Sequence, residues 1–142
     1  MIRSLAFNLI FYVWTTIWCV GILWTLLIPR RAMIWVVCQY LRSVHLIERL
    51  VLGLDYTVVG REHLPKGAYI LAAKHQSTWE TMKLHLLVDD PAVILKRELL
   101  FIPLWGWYAA KARMIAVHRG GRSKAIASII AGSKKIAAQN RP

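Results

Sequence analysis

No aspartate or glutamate follows Glu98, so everything beyond that residue is neutral or cationic. The whole chain has seven acidic residues against 19 lysines and arginines, a formal net charge of +12. That imbalance argues against basic partners and turns the chain toward polyanions, either nucleic acid or an anionic lipid surface. Cysteine is scarce. Cys19 and Cys38 both sit in apolar segments, which excludes a disulfide framework and a thiolate metal site and suits a reducing, cytoplasm-facing location. His45, His63 and His85 have no spacing that would hold zinc, so they are taken as non-catalytic and no metal is expected. There is no internal repeat and no low-complexity linker. At 142 residues the chain is one domain, or one domain plus a membrane anchor.

Apolar residues are what the chain has in excess. Hydrophobic residues make up 57% and seven are tryptophan, too apolar for an ordinary soluble domain. Tryptophan favours membrane–water interfaces, where a flat apolar ring with one N–H is comfortable. Residues 5–28, LAFNLIFYVWTTIWCVGILWTLLI, are interrupted only by Asn8 and three threonines. As a helix rising ~1.5 Å per residue, this stretch matches a bilayer core of ~30 Å. A secretory signal peptide fails on length, on the rings of Tyr12, Trp14, Trp18 and Trp24, and on the missing small-x-small cleavage site. Pro29 ends the helix. Residues 32–52 form a second apolar helix with a polar stripe of Gln39, Arg42, His45 and Arg49. Arginines flank the first segment on both sides (Arg3; Arg30 and Arg31), so a hairpin dipping into one leaflet and a full span are equally compatible with the charges.

Beyond Gly53 the pattern becomes α/β. Strands are expected at 54–59 (LDYTVV), 68–73 (AYILAA), 92–95 and 113–117. Helices are expected at 77–88, 96–101 and 123–139, and PLWGWY is expected to be an aromatic stretch broken by Pro103 and Gly106. Strands alternating with helices predict a sandwich with a mixed sheet flanked by helices. The domains expected are 1–53, membrane-associated helices, and 54–142, an α/β domain.

The chemistry concentrates in KHQSTWET, residues 74–81. His75 is expected where a strand ends and Glu80 in the first turn of the following helix. Open α/β sheets place ligand sites at such strand ends. An imidazole there takes and returns protons near neutral pH, and a carboxylate on one ring nitrogen fixes the tautomer and leaves the other nitrogen to accept. Ser77-x-x-Glu80 also matches a capping box, which needs no catalysis at all. Caps are far commoner than catalytic pairs, and the two roles are not exclusive.

KHQSTWE resembles the first motif of the glycerolipid acyltransferase family, a histidine followed after four residues by an acid. His75 fills the histidine place, Glu80 stands where aspartate is usual, and Gln76-Ser77 match bacterial members. KRELLFIPLWG resembles the second motif, with Lys96, Leu99, Pro103 and Gly106 in order and spacing. MIAVHR then places Arg119 at the family's arginine, with His118 where many members have aspartate. Taken singly, these residues are ordinary: a solvated lysine, a surface arginine, turn residues. Their ordered conjunction carries the resemblance. It implies His75 and Glu80 as the catalytic pair, and Arg119 with Lys96 as ligands of the substrate phosphate. Gln76, Ser77, Pro103 and Gly106 support the motifs. The implied reaction moves an acyl group from acyl-CoA or acyl-carrier protein to the sn-2 hydroxyl of 1-acylglycerol 3-phosphate, with no cofactor. The implied partners are membrane lipids and the implied place is the cytoplasmic face of a bacterial inner membrane.

The family's third motif, a Phe-Pro-Glu-Gly-Thr-Arg-like loop, and a later proline-containing motif have no counterpart before Pro142. The expectation is therefore an N-terminal fragment with an incomplete acyltransferase domain, marginal in stability and of little activity alone. Three rivals stay open. One is acylation of glycerol 3-phosphate or another lyso-lipid. Another is a non-enzymatic basic membrane-surface protein. The third, a soluble nucleic-acid binder, is disfavoured because residues 1–28 would have to be hidden.

Overall fold

The computed structural model describes residues 2–75, 77–118 and 120–142. The chain forms two compact units, divided between Val59 and Gly60.

The first unit is a helical hairpin. Helix α1 (Ile2–Gly21) has no buried residue and is long and apolar enough to cross a membrane by length and composition. It stops earlier than the apolar run does. A short 3₁₀ segment (Leu23–Leu27) follows, and Pro29 caps helix α2 (Arg30–Ile47) instead of merely breaking the first helix. Proline suits this place because a helix's first N–H groups have no intrahelical partner to lose. The two helices run antiparallel. Trp14 Nε1–H donates to Ser43 Oγ (2.8 Å), the Thr15 and Tyr40 hydroxyls share a hydrogen bond (2.8 Å), and the Trp18 and Tyr40 rings lie 5.8 Å apart. Met33, Leu41 and Val44 form the buried face of α2, while Trp35 and Leu46 stay exposed. A π-helical turn (Glu48–Leu52) and Gly53 at φ 70° close the hairpin. The polar stripe is used at this end. His45 meets buried Glu48 and Asp55, each at 3.4 Å, and Arg49 meets Asp55 at 3.3 Å.

The second unit is helix-rich around a small parallel sheet. Strand β1 (Ile94–Lys96) pairs with β2 (Ile115–Val117), Ile94 opposite Ile115 and Lys96 opposite Val117. Between them run a 3₁₀ segment (Arg97–Phe101) and a helix over Trp105–Lys111. Two further helices complete the unit, Thr78–Leu87 before β1 and Arg122–Ala137 after β2. In chain order the helices of this unit are α3 (Thr78–Leu87), α4 (Trp105–Lys111) and α5 (Arg122–Ala137). Ile115, Val117 and Ile136 form the core, with Ala92, Ala125 and Ile129 packed on it. Ala125, Ile129 and Ile136 lie on one face of α5. Gly132 lies on that face too, and a Cβ there would come within 2.6 Å of Ile115 Cγ2, so glycine sets the close helix–strand approach.

The expected mixed sheet is corrected to this two-stranded parallel one. Residues 54–59 and 68–73 have no ladder among the described residues. A strand exists only against a partner backbone, and a continuous apolar run needs cover on both faces. Neither is supplied, and Val59 and Ile70 are about nine-tenths exposed (90% and 91%). PLWGWY is also corrected, because α4 starts inside it. Trp105 N–H donates to Pro103 O (2.7 Å) around Leu104 at φ 62°, ψ −61°, a γ-turn of the rare, strained hand. Gly106 then sits where a Cβ would collide with the Leu100 carbonyl. The proline and the glycine thus fold one tight corner on which α4 begins.

Arg141 ties three ends of this unit together and is only 6% exposed. Its Nε meets Asp90 Oδ2 (3.0 Å) and donates to Asp90 O (3.2 Å), and Nη2 donates to Ala112 O (3.2 Å). Arg141 is buried while the Asp90 side chain keeps some contact with water, so Arg141→Ala, which leaves the Ala112 carbonyl and Asp90 without this donor, should cost about 1–3 kcal/mol of unfolding free energy. Arg141→Lys should recover little, because a point ammonium lacks the planar fork these acceptors use. Denaturant unfolding of the three proteins checks both statements.

Candidate active site

Helix α3 builds the site from its N-terminal cap. Ser77 has an extended backbone and accepts from Trp79 N–H (3.1 Å), and Glu80 returns to Ser77 N–H, completing a capping box. Glu80 Oε1 accepts from that amide at 2.8 Å, while Oε2 accepts from Ser77 Oγ–H at 2.9 Å. Side chains on a helix lean toward its N-terminus. Glu80 therefore leans past the cap and reaches a residue two positions before it. Its Oε1 lies 2.8 Å from His75 Nδ1. The five-residue spacing follows from this lean, and the extra methylene of glutamate over aspartate lets one carboxylate serve both the cap and the imidazole.

The pair's chemistry follows from its partners. A carboxylate accepts only, so Nδ1 donates to Glu80, and in the neutral tautomer this leaves Nε2 with the lone pair. The His75 side chain is 77% exposed and that of Glu80 is 21% exposed. The imidazole is thus open to solvent while the carboxylate bonded to it is sheltered and fixed by Ser77. Ser77 Oγ is committed to the cap in both directions, donating to Glu80 and accepting from Trp79. The site is positioned by a helix cap and not, as the sequence led us to expect, by the end of a strand, since residues 68–75 form none. Further along α3, Lys83 is buried with its Nζ 5.2 Å from the Trp79 ring centre.

A second group of polar residues lies at the carboxyl ends of β1 and β2. Lys96 ends β1, with Nζ 3.8 Å from Glu98 Oε1. Arg97 and His118 directly follow the paired residues Lys96 and Val117, and their side chains touch, Arg97 Nη1 lying 3.4 Å from His118 Nδ1 and nearer to Nε2. That contact was missed in the sequence. Its signal is the shared offset of Arg97 and His118 from the two strand ends, visible only once the register is known. Pro103 and Gly106 shape the corner between these strands. Gln76 and Arg119 lie outside the described residues. Among the described residues no three histidine, cysteine, aspartate or glutamate side chains converge as a metal site.

His85, on α3, has a different character. Burial pushes its imidazole below the ordinary value of 6.5, outweighing the Thr81 backbone and Asp90, which act the other way. The unfolded chain binds this proton more readily than the folded one, so stability is lost as pH falls below about 6.5 and not above it. Urea midpoints should drop between about pH 7 and pH 5, and less so in His85→Gln.

The Acyltransferase family model matches residues 55–141. A 1-acyl-sn-glycerol-3-phosphate acyltransferase of Pseudomonas aeruginosa is 38% identical over 94 residues, 66% of this chain and 37% of that protein. One of Saccharomyces cerevisiae is 31% identical over 122 residues, 85% of this chain and 39% of that protein. The chain thus spans under two fifths of the length of these curated relatives. No solved structure matches it significantly.

Proposed function

Given that the chain belongs to the acyltransferase family, we propose that it serves transfer of a fatty acyl group from acyl-CoA or acyl-carrier protein to the sn-2 hydroxyl of 1-acylglycerol 3-phosphate, giving phosphatidic acid. The observation that carries this reading is the 2.8 Å bond from His75 Nδ1 to Glu80 Oε1, with Nε2 on the open side. Nε2 takes the proton of the hydroxyl as its oxygen attacks the thioester carbonyl carbon. The tetrahedral intermediate collapses, the C–S bond breaks, and the imidazolium returns its proton to the leaving thiolate. No acyl-enzyme forms, and Ser77 stays a cap. Glu80 stabilises the imidazolium while it exists. Lys96, at the carboxyl end of β1, and Arg119 hold the substrate phosphate, the arginine through its two-pronged fork.

Helix α1, by length and hydropathy, holds the domain on the membrane where lipid acceptor and acyl chain reside, on the cytoplasmic face of a bacterial inner membrane. The route uses no metal and no cofactor beyond the acyl thioester. Acylation of glycerol 3-phosphate or of another lyso-lipid is the second reading, and the names of the two relatives favour the first. An acceptor panel separates them in protein expressed from its own gene. Lysophosphatidate should be acylated faster than glycerol 3-phosphate and than lyso-lipids whose phosphate carries a headgroup. Equal rates on all three would overturn the assignment of the acceptor.

A further inference from the structure

Between β1 and β2 the chain exposes large apolar side chains that its own packing leaves uncovered. Within nine residues, Leu99 (37%), Phe101 (73%), Ile102 (45%), Trp105 (40%) and Trp107 (55%) all face outward. Gly106, Tyr108 and Ala109 fill the inner face of α4; Trp107 lies opposite them, and Trp105, at the first position of the helix, is still 40% exposed. Single exposed apolar residues are ordinary, but a run of five, three of them aromatic, marks an interaction surface. Its chemistry selects the partner. Indole prefers the headgroup level of a bilayer, with its ring in the apolar zone and its N–H toward water. Cations border the run on both sides, Lys96 and Arg97 before it, Lys111 and Arg113 after it. Glu98 is the only acid between Asp90 and the end of the chain. Cations flanking aromatic and aliphatic side chains match the boundary of an anionic lipid leaflet.

We propose that residues 99–107 form an interfacial anchor, inserting Phe101, Trp105 and Trp107 into the headgroup–acyl boundary of an anionic phospholipid leaflet. This contact is separate from α1. It would bring the segment after β1, which Lys96 precedes, to the level where lipid phosphates lie. It stands whether or not the chain transfers acyl groups.

The hairpin complicates any test by bulk binding, so the readout must be local. Phe101→Cys carries an environment-sensitive fluorophore in the full chain, with Cys19 and Cys38 replaced by alanine. On vesicles containing phosphatidylglycerol the label should shift to the blue and become several-fold less accessible to aqueous iodide. On vesicles of phosphatidylcholine alone the change should be smaller. Trp105→Ser with Trp107→Ser should return the label to its aqueous accessibility while the chain still sediments with the vesicles. Circular dichroism on the double variant keeps a folding defect distinct. Three outcomes would overturn the proposal. The label could stay fully quenchable on vesicles to which the chain is bound. It could be shielded without vesicles, meaning that protein covers the patch. It could be shielded by acyl-carrier protein but not by lipid.

Discussion

In protein expressed from its own gene, His75→Ala should lower the rate of acyl transfer by about 10²–10⁴, the usual worth of a positioned general base. The loss should appear in kcat. The imidazole is hydrogen-bonded to Glu80, and among the described residues the cations Lys96 and Arg97 lie on other elements. Affinity for lysophosphatidate should therefore change little. The fold should survive as well, since the side chain is largely exposed and exposed substitutions away from special features usually fall within about ±0.5 kcal/mol. Steady-state kinetics with a binding measurement on the same preparation checks the split. A variant that binds normally and turns over normally would remove His75 from the chemistry.

Glu80→Gln should cost about 10²-fold or more in kcat, again with little change in lipid affinity. The amide keeps the length of the side chain, yet its two ends differ. One end can accept from Ser77 N–H, and the other now donates, so the group can no longer accept from every neighbour it serves. If its nitrogen faces His75, the ring is driven to the wrong tautomer. Even with the oxygen facing the ring, the charge that stabilises the imidazolium is gone. Ser77→Ala separates the two roles of the glutamate. It removes the hydroxyl that caps Trp79 N–H and that binds Oε2, but leaves the carboxylate and the Ser77 amide. It should cost about 1 kcal/mol of stability and far less activity than Glu80→Gln. If Ser77→Ala and Glu80→Gln reduced activity equally, the glutamate would be acting only as a cap.

Much of the second unit was legible because its signals are local. Ser77-x-x-Glu80 marks the start of α3, and the observed helix begins at Thr78. The helix expected at 123–139 is observed as α5, Arg122–Ala137. The His75–Glu80 contact was legible for the same reason, since a side chain at the third helical position leans back over its own cap. What depends on distant backbone was not. LDYTVV and AYILAA have strand composition, but composition supplies no partner, and the described chain gives them none. Gly106 resembled a turn residue, because nothing in the sequence reveals the Leu100 carbonyl against it. Arg97 and His118 meet only through the register of β1 and β2. Arg141 is one of several cations after Glu98, and its burial on Asp90 and Ala112 depends on how residues 51 and 29 positions away come to lie beside it.

General-base chemistry at this site requires a bare Nε2 on His75. Nitrogen-15 chemical shifts of the His75 ring, recorded at neutral pH in the native protein and in Glu80→Gln, measure this directly. The native protein should show a protonated Nδ1 and an unprotonated Nε2, with that preference weakened or reversed in the variant. A native ring protonated on Nε2, or a tautomer unmoved by the loss of the carboxylate, would contradict that chemistry.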